Sequence, residues 1–373
     1  MTIRQNNKIF INIASPRIFN GFKKDTDLCK FTHIVYILAT LLMVYHSTQH
    51  YQNVDSSLFG NFFTFGNMGE DMLLATMGFT VFYTSSKYIE RQSGYKEFMA
   101  KTLLRIYLTY WLIIAIPGAL VWFIRPDIHA SIALIEGDKL WQTMTMWFGH
   151  PRIAVITWIL THLVFFVFIF GLAILNKKFK YLWYFILILS AINAIDKAFV
   201  GSQLFGAGNS MMYLIFSPHN LEFAFGAWAY YLFEKGYKIE RYNLFLIFAI
   251  IVFISVGTLY SQAGAGFDYH SHRVFAFGLT ELLLVVAVVN HGKFIAAPQN
   301  NIFYKLGEAE YIMLLFHGPI LSIVDYNFAV KASYGWAVSL ATIFLILVLS
   351  YLIRTRMEEP LLTFVNRRLL GKE

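Results

Sequence analysis

The chain has 373 residues, of which 57% are hydrophobic and only 14% are charged, and its mean hydropathy is +0.55. Soluble domains carry about 25% charged residues, so this composition excludes a string of soluble domains and predicts an integral membrane protein. The single cysteine, Cys29, excludes an internal disulfide and a cysteine-ligated metal cluster.

Ten apolar segments follow one another along the chain, each close to the length of about 20 residues that crosses the hydrocarbon core of a bilayer. They predict an all-α polytopic membrane domain over residues 31–353, with short loops between its helices. The second and fifth segments are the weakest because each carries charge near an end. The ten predicted helices are residues 31–50, 71–89, 103–123, 153–175, 181–200, 213–233, 244–260, 274–290, 306–326 and 334–353.

Lysine and arginine residues give the predicted orientation. Of the 30, 24 lie on one side of the ten segments, a side that includes the basic tail 1–30 and the tail 354–373. Cytoplasmic segments are enriched in these residues, so both tails are expected in the cytoplasm, which ten spans allow. The net charge of +8 therefore indicates topology and contact with anionic lipid, and no nucleic-acid partner is expected.

His46 and Asp71 are the first candidates for chemistry. His46 lies toward the outer end of the first segment, and Asp71 opens the second segment on the same side. A carboxylate that accepts from one imidazole nitrogen makes the other nitrogen a better base. The residues alone equally allow an ordinary interfacial pair, or Asp71 as the N-cap of its helix. His33 lies thirteen residues before His46, about 20 Å along one helix, so the two histidines are not expected to share a site.

The segment 306–319 carries ionisable residues inside an apolar run. Such a residue costs roughly 2.5–3.5 kcal/mol on membrane-insertion scales, so His317 and Glu310 are functional candidates. His317 could also be a neutral histidine bonded to a neighbouring helix. Glu310 could be a protonated packing residue, or it could pair with a basic residue of the cytoplasmic half: Lys30, His33, Lys101 or Arg105.

Two further polar stretches are less specific. Lys101 and Arg105 lie four residues apart and share a helix face, which could bind the phosphates of a cytoplasmic cofactor or, on the pattern alone, lipid head groups. Residues 268–273 contain two histidines two positions apart, which is a weak metal signal, and no metal is expected.

Six segments, taken in chain order, resemble motifs of membrane acyltransferase family 3, whose members O-acylate carbohydrates and lipids. Residues 69–79 (GEDMLLATMGF) keep the glycine, the aspartate and the final Gly-Phe of G-V-D-L-F-F-V-L-S-G-F. The other five are residues 105–111 (RIYLTYW), similar to R-I-Y-P-x-Y-W; 158–166 (WILTHLVFF), similar to W-F-L-x-A-L-x-x-F-Y; 222–231 (EFAFGAWAYY), similar to E-F-x-x-G-x-x-x-A-Y; 306–319 (LGEAEYIMLLFHGP), similar to L-G-x-x-S-Y-x-x-Y-L-x-H-x-P; and 358–360 (EEP), similar to E-x-P.

The resemblance implies a ten-span O-acyltransferase of the bacterial inner membrane. It would move an acyl group, most simply acetyl, from cytoplasmic acyl-CoA to a hydroxyl of an exopolysaccharide, a lipopolysaccharide or a lipid-linked sugar. His46 would be the general base, oriented by Asp71, or would itself carry the acyl group. The residues expected to bind acyl-CoA or the acceptor are Arg105, Lys101, Tyr107, Trp111, Trp158, Glu310 and His317.

The chain departs from the family pattern at three places. Val35 stands where the family has an arginine eleven positions before its histidine, Met77 replaces a serine, and Lys101 with Thr102 replaces paired arginines. A catalytically degenerate member with a structural role is therefore one alternative. A transporter or flippase that uses the same residues as a proton relay is another, although it would predict symmetric repeats that the sequence does not show.

Overall fold

The computed structural model describes residues 25–52, 64–89, 94–124, 140–147, 157–202, 204–205, 210–262, 271–294, 302–327 and 335–370. The described residues are mostly helical and contain no strand, which confirms the all-α prediction. In chain order the helices are α1 (Asp25–Gln52), α2 (Met68–Ile89), α3 (Tyr95–Ile124), α4 (Leu140–Met144), α5 (Thr157–Leu175), α6 (Lys180–Phe199), α7 (Ser210–Ile215), α8 (Asn220–Glu234), α9 (Tyr242–Gln262), α10 (Ser271–Phe294), α11 (Ile302–Glu308), α12 (Glu310–Asn327), α13 (Gly335–Ile353) and α14 (Glu359–Leu370).

Apolar helices make this a multi-pass membrane protein. Within the described residues, six segments are long and apolar enough to cross a bilayer: Tyr95–Ile116, Trp158–Leu175, Lys177–Phe199, Tyr242–Tyr260, His272–Asn290 and Ala337–Val365. Two shorter apolar segments lie in α1 and α12. Helices α2 and α8 are not among these six segments, and α8 has only 15 residues. The count of ten spans and the cytoplasmic termini stay predictions.

The predicted sixth helix, residues 213–233, is wrong as one continuous helix. The structure divides it into α7 and α8, with Pro218 between them. Proline has no N–H to continue the helical bonds and disfavours helical geometry at the residue before it. The Ser217 hydroxyl accepts from the His219 N–H at 3.3 Å, which caps the break and fixes where α8 begins.

Two other segments also differ from simple spans. A turn at Ala309 separates α11 from α12, and hydrogen bonds of 3.0 Å on both sides of Ala309 carry the backbone across it. Helix α13 continues through a π-helical segment, Arg354–Glu358, into α14, so the described part of the predicted C-terminal tail is helical. A π-helical turn inside an α-helix is frequent at functional sites.

Among the described glycines, those with the least space around them lie where α2 crosses α8. A methyl group at Gly226 would lie 1.8 Å from the carbonyl oxygen of Ala75, and one at Gly78 would lie 2.1 Å from that of Phe223. Only hydrogen fits at either position, so the two backbones touch here. This contact fixes the first turns of α2 and α8 relative to each other.

Candidate functional site

A group of buried charged side chains lies where the beginnings of α2, α8 and α10 meet. The side chains come from the first turn of each helix, from the residue before α8 and from the third turn of α10, and all are at most 3% exposed. We call this group the Asp71 centre, and its members are Asp71, His219, Glu222, Arg273 and Glu281.

Arg273 links α10 to α2 within this centre. Its Nε donates to both oxygens of Asp71, at 2.9 and 2.6 Å, and its Nη2 donates to the Asn67 carbonyl oxygen at 2.7 Å and to Glu70 Oε2 at 3.0 Å. A cation near a helix N-terminus is disfavoured by the helix dipole, and the carboxylates offset that cost. Because α2 begins at Met68, Asp71 lies inside its helix, and the N-cap interpretation of Asp71 is wrong.

His219 and Glu222 form a second bonded pair beside Asp71. The His219 Nδ1 lies 3.0 Å from Glu222 Oε2. When Glu222 is ionised it only accepts, so in that state Nδ1 carries the proton and Nε2 keeps a lone pair. One possible ligand atom from each of Asp71, His219 and Glu222 lies within 4.8 Å of the other two, a spacing that allows all three to contact one metal ion.

Aromatic rings from α5 cover His219. The Trp158 ring centroid lies 4.8 Å from that of His219, and the His162 ring lies 6.0 Å from it. The His162 Nδ1 donates to the Trp158 carbonyl oxygen at 2.9 Å. Trp158, predicted to bind substrate, therefore packs against the Asp71 centre.

Glu281 is the most isolated carboxylate of the centre. It is 0% exposed, and neither of its oxygens has a hydrogen-bond partner among the described residues. The charges that act on it are those of Asp71, Glu222 and Arg273. One turn earlier on α10, a methyl group at Gly278 would lie 3.6 Å from the Glu222 Cγ, so Glu281 belongs to the helix face that meets α8.

His46 lies on α1 beside the turn that leads into α2. A methyl group at Gly66, in that turn, would lie 2.6 Å from the His46 Cβ. His46 and Asp71 are thus at the same end of the helix bundle, as predicted. The hydrogen bonds of the Asp71 carboxyl group go to Arg273 and Glu222, so an orienting role of Asp71 toward His46 stays a prediction.

A second charged group lies at the other end of α1. A methyl group at Gly307 would lie 2.5 Å from the Cβ of His33, and His33 is about 20 Å from His46 along the helix. The charges acting on His33 are those of Arg105 and Arg354, and those acting on Glu310 are Arg105 and Glu358. We call this group the Glu310 cluster, with members His33, Arg105, Glu310, Arg354 and Glu358.

The hydrogen bonds of the Glu310 cluster are few. Glu358 accepts from the Thr109 hydroxyl and lies 3.2 Å from the Arg354 Nη1. Within the described residues, Glu310 Oε2 is buried without a hydrogen-bond partner. Of the partners predicted for Glu310, Arg105 acts on it, whereas Lys101 bonds to Glu97 at 2.5 Å. The Lys30 side chain lies outside the described residues.

Tyr107 and Trp111, predicted to bind substrate, hold a backbone segment. The Tyr107 hydroxyl donates to the Thr145 carbonyl oxygen and the Trp111 Nε1 donates to that of Met144, each at 2.9 Å. These bonds attach the segment around α4 to α3. Their part in substrate binding stays a prediction.

His317 bonds to its own helix. Its Nδ1 donates to the Leu314 carbonyl oxygen at 2.7 Å, and its side chain is buried. The described bond is local, which differs from the expected bond to a neighbouring helix. The Nε2 of a neutral His317 keeps its lone pair.

Sequence reasoning missed four members of the Asp71 centre. Arg273 was counted as an outer basic residue beside a weak metal signal, Glu222 was quoted only as the first residue of a motif, and His219 and Glu281 were not singled out. A signal existed for Glu281, since a carboxylate in the middle of the apolar segment 274–290 is costly. For Arg273 the signal was weaker because it lies at a segment end, where cations are common.

Comparison with known families shows to which family the chain belongs. The family model described as an acyltransferase domain, that of acyltransferase family 3, matches residues 35–355. No curated protein and no solved structure matches the chain.

Proposed function

Because this chain belongs to acyltransferase family 3, we propose that it moves an acetyl group from acyl-CoA to a hydroxyl of a cell-surface glycan or a lipid-linked sugar. The observation that carries the proposal is the position of His46 beside the turn that leads into α2, the helix of Asp71, at the opposite end of α1 from a second cluster containing two arginines. Two chemically different ends on one helix suit a reaction with a charged donor and a neutral sugar acceptor.

His46 is the proposed general base. A sugar hydroxyl is a weak nucleophile near neutral pH, and a positioned imidazole that removes its proton typically contributes 10²–10⁴-fold. The hydroxyl oxygen bonds to the thioester carbonyl carbon, the proton goes to His46, and the carbon–sulfur bond breaks to release CoA. In the second form of the proposal, His46 is acylated first and passes the group to the sugar.

The Glu310 cluster is the proposed donor end. Arg105 is exposed and is the member of the cluster placed to meet a ligand, whereas Arg354 is 17% exposed and pairs with Glu358 at 3.2 Å. Guanidinium groups bind phosphate oxygens through paired hydrogen bonds, which suits the phosphates of CoA. Three other residues of α3 belong to this proposed donor end: Lys101, which precedes Arg105, and Tyr107 and Trp111, which follow it. Trp158 and His317 are assigned to the acceptor path.

The proposed topology follows the distribution of basic residues. Ten spans with both termini in the cytoplasm of a bacterial inner membrane place the Glu310 cluster inside, where acyl-CoA is made. The Asp71 centre and His46 then lie toward the outer face, where glycans are assembled. The acyl group would travel along α1 between them.

A transporter or flippase remains the second candidate, and the Asp71 centre is the observation that favours it. Several buried carboxylates beside histidines can relay protons in a membrane. Such a protein would carry out no acyl chemistry, so the two functions differ in their products.

Mass analysis of the surface glycan, with and without the gene, tests the proposal. Loss of one acetyl mass per repeat unit, restored by the wild-type gene and not by His46→Ala at equal membrane level, supports acyl transfer. Loss of the whole polymer supports the transporter. An unchanged glycan and unchanged lipid-linked sugars in the deletion strain would refute both.

A further inference from the structure

The Asp71 centre carries more negative than positive charge. Its ionised forms would be three carboxylates, Asp71, Glu222 and Glu281, against one guanidinium, Arg273, with His219 neutral. All five side chains are at most 3% exposed. Burying an unbalanced charge costs several kcal/mol, so the centre needs about two further positive charges to be stable in this form.

Two of these carboxylates are held close together. The α2–α8 contact at Gly78 and Gly226 fixes the two helices at their closest approach, and ligand atoms of Asp71 and Glu222 lie within 4.8 Å of each other and of His219. Arg273 uses two of the roughly four lone-pair positions of Asp71. Asp71 and Glu222 also share a side-chain hydrogen bond, and a cation bound between them would take the place of its proton.

Glu281 is an independent sign of a ligand. Both its oxygens are buried and lack a hydrogen-bond donor among the described residues, although buried polar groups in proteins almost always have one. Its electrostatic neighbours are members of the same centre. A bound cation would supply the partner that the described side chains do not.

We propose that the Asp71 centre binds one divalent transition-metal cation, with Asp71, His219 and Glu222 as ligands and Glu281 as the neighbouring carboxylate that completes or supports them. A 2+ charge brings the formal charge of the five side chains to zero. One imidazole nitrogen with carboxylate oxygens is a ligand set that suits Zn²⁺ or Mn²⁺. This site is additional to acyl transfer, and its test does not depend on that activity.

The experiment measures metal in the purified full-length protein in detergent. Metal content is determined by mass spectrometry before and after treatment with a chelator, and the stripped protein is titrated with Zn²⁺ alone and with Mn²⁺ alone. We expect about one equivalent per chain and a higher thermal unfolding midpoint on adding the metal. Mg²⁺ at the same concentration is expected to have a smaller effect.

Variants locate the metal. Glu281→Gln keeps the shape of the side chain and is expected to weaken binding about 10–100-fold, the range for groups that support metal ligands, and Glu222→Gln is expected to weaken it more. Glu310→Gln removes a buried carboxylate from the other end of α1 and serves as the matched control, with wild-type metal content.

Two results would overturn the proposal. In the first, wild-type protein binds neither Zn²⁺ nor Mn²⁺ at one equivalent, which would mean that the carboxyl groups are neutralised by protons. In the second, folded Glu281→Gln and Glu222→Gln bind metal as tightly as Glu310→Gln. If Glu222→Gln does not fold, Glu281→Gln and the wild-type titration still decide the question.

Discussion

The Asp71 centre and the Glu310 cluster use similar residues in different ways. At the Asp71 centre, the arginine is 3% exposed and donates four hydrogen bonds at 2.6–3.0 Å. In the Glu310 cluster, Arg105 is exposed and acts on its neighbours through space. Arg273 is buried and hydrogen-bonded before any ligand arrives, whereas Arg105 is a cation that a ligand can reach.

The two ends are therefore suited to different steps. A preformed charged centre in an apolar bundle suits a step whose groups must already be in position. An exposed cation suits the capture of a soluble, multiply charged donor. Substitutions at each end test whether the Asp71 end serves the chemical step and the Glu310 end serves donor binding.

The largest effect is expected from the two histidines of α1. His46→Ala should lower kcat for acyl transfer by about 10²–10⁴-fold because the base is lost. His33→Ala should raise the KM for acyl-CoA and leave kcat close to wild type, since His33 lies in the donor cluster. Steady-state kinetics on both purified variants separates the two, and a His46→Ala enzyme with wild-type kcat would contradict the assignment of the base.

Removing an arginine should destabilise the two ends unequally. Arg273→Met leaves buried carboxylates without their cation, a change that typically costs 3–5 kcal/mol, so we expect a large fall in the thermal unfolding midpoint in detergent. Arg354→Met is the matched change in the Glu310 cluster, where the side chain is 17% exposed and its partner is 3.2 Å away. If the thermal unfolding midpoint fell equally in both variants, the two arginines would contribute equally to stability, and the Glu310 cluster would be as tightly held as the Asp71 centre.

Donor affinity should depend on the Glu310 cluster. Arg105→Ala is expected to weaken binding of a non-hydrolysable acyl-CoA analogue about tenfold, since a hydrogen bond to a charged group contributes about 1.5–3 kcal/mol. Arg356→Ala removes an exposed arginine of the π-helical segment and is the control, with little expected change. Equal affinity of the two variants in calorimetry would remove Arg105 from the donor site.

The smallest effect is expected from a single hydrogen bond between α12 and α3. The Tyr311 hydroxyl donates to the Ile106 carbonyl oxygen at 3.0 Å. Tyr311→Phe removes this bond and should cost about 0.5–1.5 kcal/mol, seen as a small fall in the unfolding midpoint. A loss as large as that of Arg273→Met would show that the Glu310 end is packed as tightly as the Asp71 centre.

The sequence predicted the helical membrane class and the placement of His46 and Asp71 at the same end of the bundle, since apolar runs and their order carry that information. It did not predict that Asp71 bonds to Arg273, because the two residues are 202 positions apart and the contact depends on how α2 and α10 pack. It also missed the break at Pro218, where hydropathy stays high on both sides of the proline.

That break has a consequence for the lipid around the protein. Helix α8 has 15 residues, about 22 Å of helix against a hydrocarbon core of about 30 Å, and it presents Trp228 and Tyr231 at its surface. Such a hydrophobic mismatch is relieved when the bilayer thins locally or flanking residues reach the interface. The thinner lipid beside α8 would shorten the distance that a membrane-embedded acceptor must cross to reach the interior.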